Sequence, residues 1–294
     1  MMLSDFKTTT HGKWILAGEH AVLRGHAALV FPVKDNQLTL TYHASSSHLS
    51  ADYSGDSGAD LHLLFWSVLE HGMRLLGQSL NSLSGHFDLQ SNIPIGVGMG
   101  ASAALCVATA RWFLAQHWIA DDRFQSFATE LENLFHGKSS GLDIAGVSAT
   151  GGIEFKQGQS SPLQQIWQPN WYLSSCGQIG ITSHCINQVQ TLWEQQPEFA
   201  RTLDQQMEES TILARLALEH ATPDRQARLA HAINRAGDCF QKWGLVSDNL
   251  QQHMHTLKNK GAVAVKPTGS GGGGFVISLW DEPTTPTNLG LIAV

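Results

Sequence analysis

Strand-like and helix-like segments alternate along the 294 residues, which predicts an α/β or α+β fold. Three observations carry that prediction. The first 43 residues hold runs rich in Val, Leu and Thr; three later segments space their apolar residues at intervals of three and four; and glycine clusters separate the two kinds of pattern. An apolar content of 42% is enough to core one large or two ordinary domains.

Residues 13–43 read as strands. "KWIL" precedes a Gly-Glu-His turn, and "AALVFPV" and "LTLTYH" are apolar or alternating runs. In "SGADLHLLFWSVLEHGMRLLGQ", Leu61, Leu64, Phe65, Val68, Leu69 and Met73 form the stripe of an amphipathic helix. "HFDLQSNIP" returns to a strand ending at Pro94, and "ASAALCVATARWFLAQHW" predicts a helix of about five turns. A further helix over 121–136 is halted by Gly137 and the Ser139-Ser140-Gly141 turn. "GLDIAGVSATGGIEF" reads as a short segment whose double glycine leads into a strand, and the polar stretch "KQGQSSPLQQ" reads as a loop and lobe boundary. "GQIGITS" is expected to be a strand, residues 186–259 to be helical, and "AVAVKPTGSGGGGFVISLW" to be two strands around a glycine run.

Charge and composition narrow the function classes. A formal net charge of -7 with 18 Lys and Arg leaves no basic face for the phosphates of a nucleic acid. The opening "MMLSDFKTTTHGKWIL" lacks the apolar core of a signal peptide, and no stretch approaches the about 18 apolar residues of a membrane span, so a cytoplasmic protein with no membrane partner is expected. Cys106, Cys176, Cys185 and Cys239 lack CxxC spacing and read as reduced thiols. The 15 histidines include no HExxH, and His253 and His255 would point to different helix faces.

The chemistry concentrates in "SNIPIGVGMGASAALCVATARWF", where Gly96, Gly98 and Gly100 run into a helix start. Such a start exposes N–H groups without intrahelical partners at the positive end of the helix dipole, an anion cradle. Glycine there lets a phosphate approach the main chain and permits positive φ. A Walker A loop is excluded because no Lys adjoins the glycines. Gly98, Gly100 and Ala103 fit G-x-G-x-x-A, but Asp121 and Asp122 begin a helix where a dinucleotide fold would end a strand in an acid. The competing explanation is a tight, ligand-free loop.

Phosphoryl transfer would further require oxygen ligands for magnesium, a cation, and a group that orients the acceptor hydroxyl. Glu132 and His136 lie four apart on one helix face, Asp143 follows in the next turn, Lys13 sits in the first strand, and Glu19 and His20 occupy its turn. Each has an ordinary alternative: Lys13 as an edge-strand charge, Glu132 as a solvated helix acid, Asp143 as a turn former, His136 as a cation at a helix C-terminus.

"GKWILAGEHAVLRGHAAL" (12–29), "PIGVGMGASAA" (94–104), "HGKSSGLD" (136–143) and "KPTGSGGGG" (266–274) occur in one order over nearly the whole chain. In that order and content the chain resembles the GHMP family of small-molecule kinases and, within it, is most similar to the mevalonate kinases. The resemblance implies an α+β, two-lobed fold: an N-terminal α/β nucleotide-binding lobe over 1–157 and a C-terminal ferredoxin-like sandwich lobe over 158–294. It implies ATP and Mg2+ as cofactors, with Asp143 and Lys13 catalytic. Pro94, Gly96, Val97, Gly98, Met99, Gly100, Ala101 and Ser102 would wrap the nucleotide phosphates. Ser102 and Glu132 would hold magnesium; Glu19 and His20, with Lys13 and Asp143, would line the acceptor pocket; and the second glycine run would pack against the phosphate loop. The implied reaction is phosphorylation of mevalonate at its primary hydroxyl; a sugar or phosphomevalonate kinase, or a non-catalytic nucleotide-binding homologue, is the alternative. A homodimer is compatible with the sequence. The chain departs from the family pattern at Ala101, where the loop usually has Ser, and at Ser139, where Pro is common and its loss is expected to loosen the turn before Asp143.

Overall fold

The computed structural model describes residues 3–137, 139–283 and 289–294. In chain order the elements begin with β1 (Phe6–Ala17), β2 (Ala28–His48), β3 (Ser50–Ser54), α1 (Gly58–Leu75), β4 (Ser84–Ser91) and α2 (Ala101–Ala115). There follow α3 (Phe124–His136), α4 (Leu142–Ser148), β5 (Ile153–Lys156), β6 (Gln159–Pro162) and β7 (Asn170–Ser175). The remainder comprises α5 (Thr182–Gln195), α6 (Pro197–Glu219), α7 (Arg225–Lys242), α8 (Asp248–Asn259), β8 (Ala264–Pro267), β9 (Phe275–Trp280) and β10 (Ile292–Ala293). The mixture of helix and sheet is the α+β class that the sequence predicts. The side chain of His136 lies outside the described residues.

Two compact units share the chain: Met1–Lys13, Pro32–Ile95 and Gly100–Ser148 form the first, and Trp14–Phe31, Gly96–Met99 and Ala149–Val294 the second. In the first unit β4 pairs parallel with β3 and antiparallel with the distal part of β2, Leu40 opposite Leu89 and Tyr42 opposite Phe87. Alternation along β4 turns Phe87 and Leu89 inward. There Phe87 meets Tyr42, Phe65 and Trp112 with ring centroids 4.7, 5.0 and 5.1 Å apart. Helix α2 is buried on almost every side, which explains its alanine content: small side chains let neighbours close in around it. Gly72 of α1 is one such approach, since a Cβ there would lie 2.5 Å from the Phe113 ring of α2.

In the second unit β10, β7, β9 and β8 form an antiparallel sheet, and the proximal part of β2 pairs with β5. Trp14 stacks on Phe31 at 4.8 Å and meets Trp171 edge-on at 4.9 Å. Helices α5, α6 and α7 share a core of Leu203, Met207, Ala236, Phe240 and Trp243.

Five readings are completed or corrected. The 142–148 segment is helix α4, too short for its period to show in the sequence. "KQGQSSPLQQ" contains β6, the second arm of a hairpin closed at Gln157 and Gly158; its four residues are all exposed, so no apolar alternation marked it. "GQIGITS" is not a strand; the strand is β7 just before it, while Gly180 lies close against the backbone of Gly271 and Gly273. The helical region starts at Thr182 and is divided into α5 to α8. Helix α2 is also shorter than expected, 15 residues.

Candidate active site

In the first unit, β1 is buried continuously from Gly12 onward, so Lys13 enters the interior with its side chain 2% exposed. A buried ammonium needs a partner. Asp143 supplies it: its Oδ1 lies 2.8 Å from Lys13 Nζ, and 31% of its side chain is exposed. Asp143 sits in the first turn of α4, where a carboxylate is favoured by the helix dipole. The edge-strand reading of Lys13 therefore fails.

Gly100 adjoins this pair. It caps α2 in the left-handed region at φ 76°, and a Cβ there would come within 2.8 Å of Lys13 Cγ. The absence of that carbon lets the start of α2 lie against the lysine. Ser102 follows in the first turn of α2, half-buried.

Glu132 of α3 is 1% exposed, which removes the solvated-acid reading. Its Oε2 accepts a short hydrogen bond from Ser139 Oγ, while Oε1 is buried with no hydrogen-bond partner among the described residues. Burial, and then the nearby Asp143 charge, push the Glu132 carboxyl up to about 8, against the opposing pull of Ser139 and Lys13. Ser139 does not loosen its turn. Its N–H donates to Asn133 Oδ1 at 2.7 Å, and its Oγ accepts from Gly141 N–H at 3.0 Å while donating to Glu132. A proline could make none of these bonds.

In the second unit, Gly96 and Gly98 take φ of 78° and 84°, conformations that side chains resist. The second glycine run packs against this part of the loop through backbone alone. A Cβ on Gly274 would meet Val97 O at 2.6 Å, and Gly98 faces the Thr268 carbonyl and Gly269 Cα. Pro94 and Ala101 flank these residues, half-buried and buried, and Met99 is buried.

Glu19 and His20 are both buried in the turn after β1. Glu19 forms an ion pair with Lys266 of β8, whose side chain has no exposed surface. Burial pulls the Lys266 ammonium below its ordinary value, partly offset by Glu19. His20 Nε2–H donates to the Ser270 carbonyl at 2.9 Å, and its ring meets Trp243 edge-on at 5.2 Å. Burial pushes the imidazole down to about 4, so it is neutral at pH 7, with Nε2 protonated and Nδ1 an acceptor. Sequence reasoning gave Lys266 no role. Its signal was a lone lysine inside the apolar run "AVAVKP", a charge that such a strand can bury only beside an acid.

Among the described residues, Asp52, His86 and Asp88 lie close enough together to share an ion, but they lie on the exposed face of β3 and β4 and are not the expected ligands.

A buried lysine paired with a partly open carboxylate, a buried carboxylate and a glycine-capped helix start are the parts that a small-molecule kinase of the GHMP type calls for. The model of the GHMP kinases N terminal domain matches residues 64–152 of this chain. Relatives matched over most of its length include mevalonate kinases. It is 27% identical to the mevalonate kinase of Aeropyrum pernix, over 94% of this chain and 89% of that one, and 25% identical to that of Pyrococcus abyssi, over 91% and 86%. The crystal structure of L. major mevalonate kinase in complex with R-mevalonate superposes with a TM-score of 0.78 at 23% identity, covering 96% of this chain and 90% of that one.

Proposed function

We propose that the protein transfers the γ-phosphoryl group of ATP to the primary hydroxyl of mevalonate, releasing 5-phosphomevalonate and ADP. The observation that carries this is the 2.8 Å Lys13–Asp143 pair at the glycine-capped start of α2, an orienting acid and a cation beside an anion cradle. The names of the relatives supply the acceptor.

In this scheme the main-chain N–H groups from Gly96 to Ser102 receive the phosphates. Asp143 accepts a hydrogen bond from the acceptor hydroxyl and aligns its oxygen with the γ-phosphorus. As the new O–P bond forms, the bond to the ADP oxygen breaks and the hydroxyl proton passes to Asp143. Strong basicity is not required, because in a loose transition state alignment and charge neutralisation carry most of the rate. Lys13 neutralises charge on the moving group and fixes the Asp143 carboxylate. Glu19 and His20 provide acceptor contacts. Neutral His20 contributes shape and a hydrogen-bond acceptor, not charge.

Ser102 and Glu132 fit a magnesium site. Both offer hard oxygen ligands, and Glu132 Oε1 is buried with no hydrogen-bond partner among the described residues, an oxygen that a cation would satisfy. Magnesium held by these two side chains would supply positive charge to offset that of the phosphates.

The test is ADP release by the purified protein with ATP and magnesium against mevalonate, phosphomevalonate and galactose. Turnover on mevalonate at least about tenfold above the others in kcat/KM is expected. Preference for another acceptor removes the substrate assignment, and ATP binding without turnover on any alcohol removes the enzyme. The cytoplasm is the proposed location; no helix among the described residues is long and apolar enough to cross a membrane.

A further inference from the structure

The segment from Lys266 to Ser270 reaches the end of β1 and the turn after it from alternate positions. Lys266 Nζ donates to the Glu19 carboxylate and, at 3.3 Å, to the Ile15 carbonyl, and lies 5.2 Å from the Phe240 ring centroid. Thr268 Oγ1 accepts from Ile15 N–H at 2.8 Å and donates to the Ile15 carbonyl at 3.0 Å. The Ser270 carbonyl takes the His20 hydrogen bond at 2.9 Å. The same segment presents Thr268 O and Gly269 to Gly98 of the phosphate loop.

A fully buried ion pair is a poor source of stability, because desolvating both charges offsets most of their attraction. What it provides is direction. A buried carboxylate is held where its buried cation is. The turn it holds needs holding: His20 sits at φ 60° and ψ -47°, a conformation costly for any residue with a Cβ, which persists only where its surroundings over-determine it.

The structure assigns Lys266 the role of a positioning residue: through Glu19 it fixes the Glu19–His20 turn, and with it the acceptor contacts of the reaction proposed above. The assignment rests on that proposal for its kinetic consequence, but not for its structural one.

The experiment compares wild type with K266R, K266M and the double variant K266M/E19Q, using two readouts. Steady-state kinetics separate KM for mevalonate from KM for ATP, and 15N NMR follows the His20 ring against pH. For K266M, KM for mevalonate is expected to rise at least about tenfold while KM for ATP stays within about twofold, and K266R is expected to recover most of the loss. In wild type the buried His20 ring should keep one set of shifts from about pH 8 to about pH 5; in the double variant it should titrate within that range, as a released imidazole does. The double variant is neutral at both positions, so it separates movement of the turn from a change of local charge, and it stands in for K266M should that variant fail to fold. An unchanged His20 titration in the double variant overturns the assignment whatever the kinetics show. KM values for ATP and mevalonate rising together overturn it too, because they mark general loosening. Should wild type leave mevalonate untouched, the proposed function falls, and the His20 titration alone decides whether Lys266 positions the turn.

Discussion

Asp143 and Lys13 divide one task unequally, and their exposures show how. Asp143 is partly open and able to meet a substrate, whereas Lys13 is sealed beneath it. Replacing Asp143 by Asn keeps the shape but removes the charge and the proton acceptor. Turnover should fall by about 10²–10⁴, the range for loss of a positioned acid–base group, while ATP affinity stays within about twofold. Rapid-quench kinetics with nucleotide titration checks this, and an equal loss of both would place Asp143 in nucleotide binding instead. Glu132→Gln makes a different prediction. With its carboxyl pushed up to about 8, Glu132 is mostly protonated at pH 7 before any cation binds, so a neutral amide should cost the fold little. Thermal melting at pH 7 should stay level or rise, because the wild-type carboxyl, ionised in the unfolded chain at that pH, must take up a proton on folding and the amide need not, while magnesium-dependent turnover disappears. A large drop in melting temperature would show that Glu132 is a structural acid.

At the scale of elements, the start of α2 is the most constrained piece of backbone. Gly100 and Gly137 both lie at positive φ, 76° and 73°, yet a Cβ at Gly100 would strike Lys13 whereas one at Gly137 would meet nothing within 4 Å among the described residues. Gly137→Ala therefore incurs backbone strain alone, about 1–3 kcal/mol for a side chain at φ 73° and ψ -56°, and should leave turnover intact. Gly100→Ala incurs strain too and displaces Lys13, so it should lose both stability and turnover. Equal behaviour of the two variants, measured by melting and rate, would show that the loop tolerates the carbon. This contrast also explains what the sequence made legible. Gly96, Gly98 and Gly100 stood out because chemistry demanded them, a bare main chain at a helix mouth. Helix α1 was visible because 18 residues give its period room to repeat. Helix α4 spans seven residues and its apolar content has no period to display, so the element that carries Asp143 was hidden although Asp143 itself was not. Burial was equally hidden. Nothing local tells a lysine on an edge from one inside; that Lys13 and Lys266 are buried is decided by partners 130 and 247 residues away.

Over the whole molecule, the two units should respond to pH in opposite directions between about pH 4 and 8, because the second holds a histidine lowered to about 4 and the first a glutamate raised to about 8. His20 belongs to the second unit and Glu132 to the first. The imidazole binds its proton at an ordinary value of 6.5 when unfolded but at about 4 in the fold. Unfolding therefore takes up a proton between those values. The contribution of neutral, buried His20 is complete above about pH 6.5 and is lost as pH falls through 4, on the order of 3 kcal/mol in all. Glu132 runs the other way, raised from 4.5 to about 8. Its protonated form favours the fold fully below about 4.5, and that preference is lost as pH rises through 8, where the fold must hold an ionised carboxylate in a dry place. Substitution isolates each slope from the background titration of the other groups. The melting temperature of wild type minus that of His20→Asn should fall as pH drops from 6.5 to 4, and that of wild type minus Glu132→Gln should fall as pH climbs from 4.5 to 8. Calorimetry across pH 4–8.5 with the three proteins measures both. Differences that stay level across their windows would mean that water reaches these two side chains in solution, and the buried environments described for the turn and for α3 would have to be withdrawn.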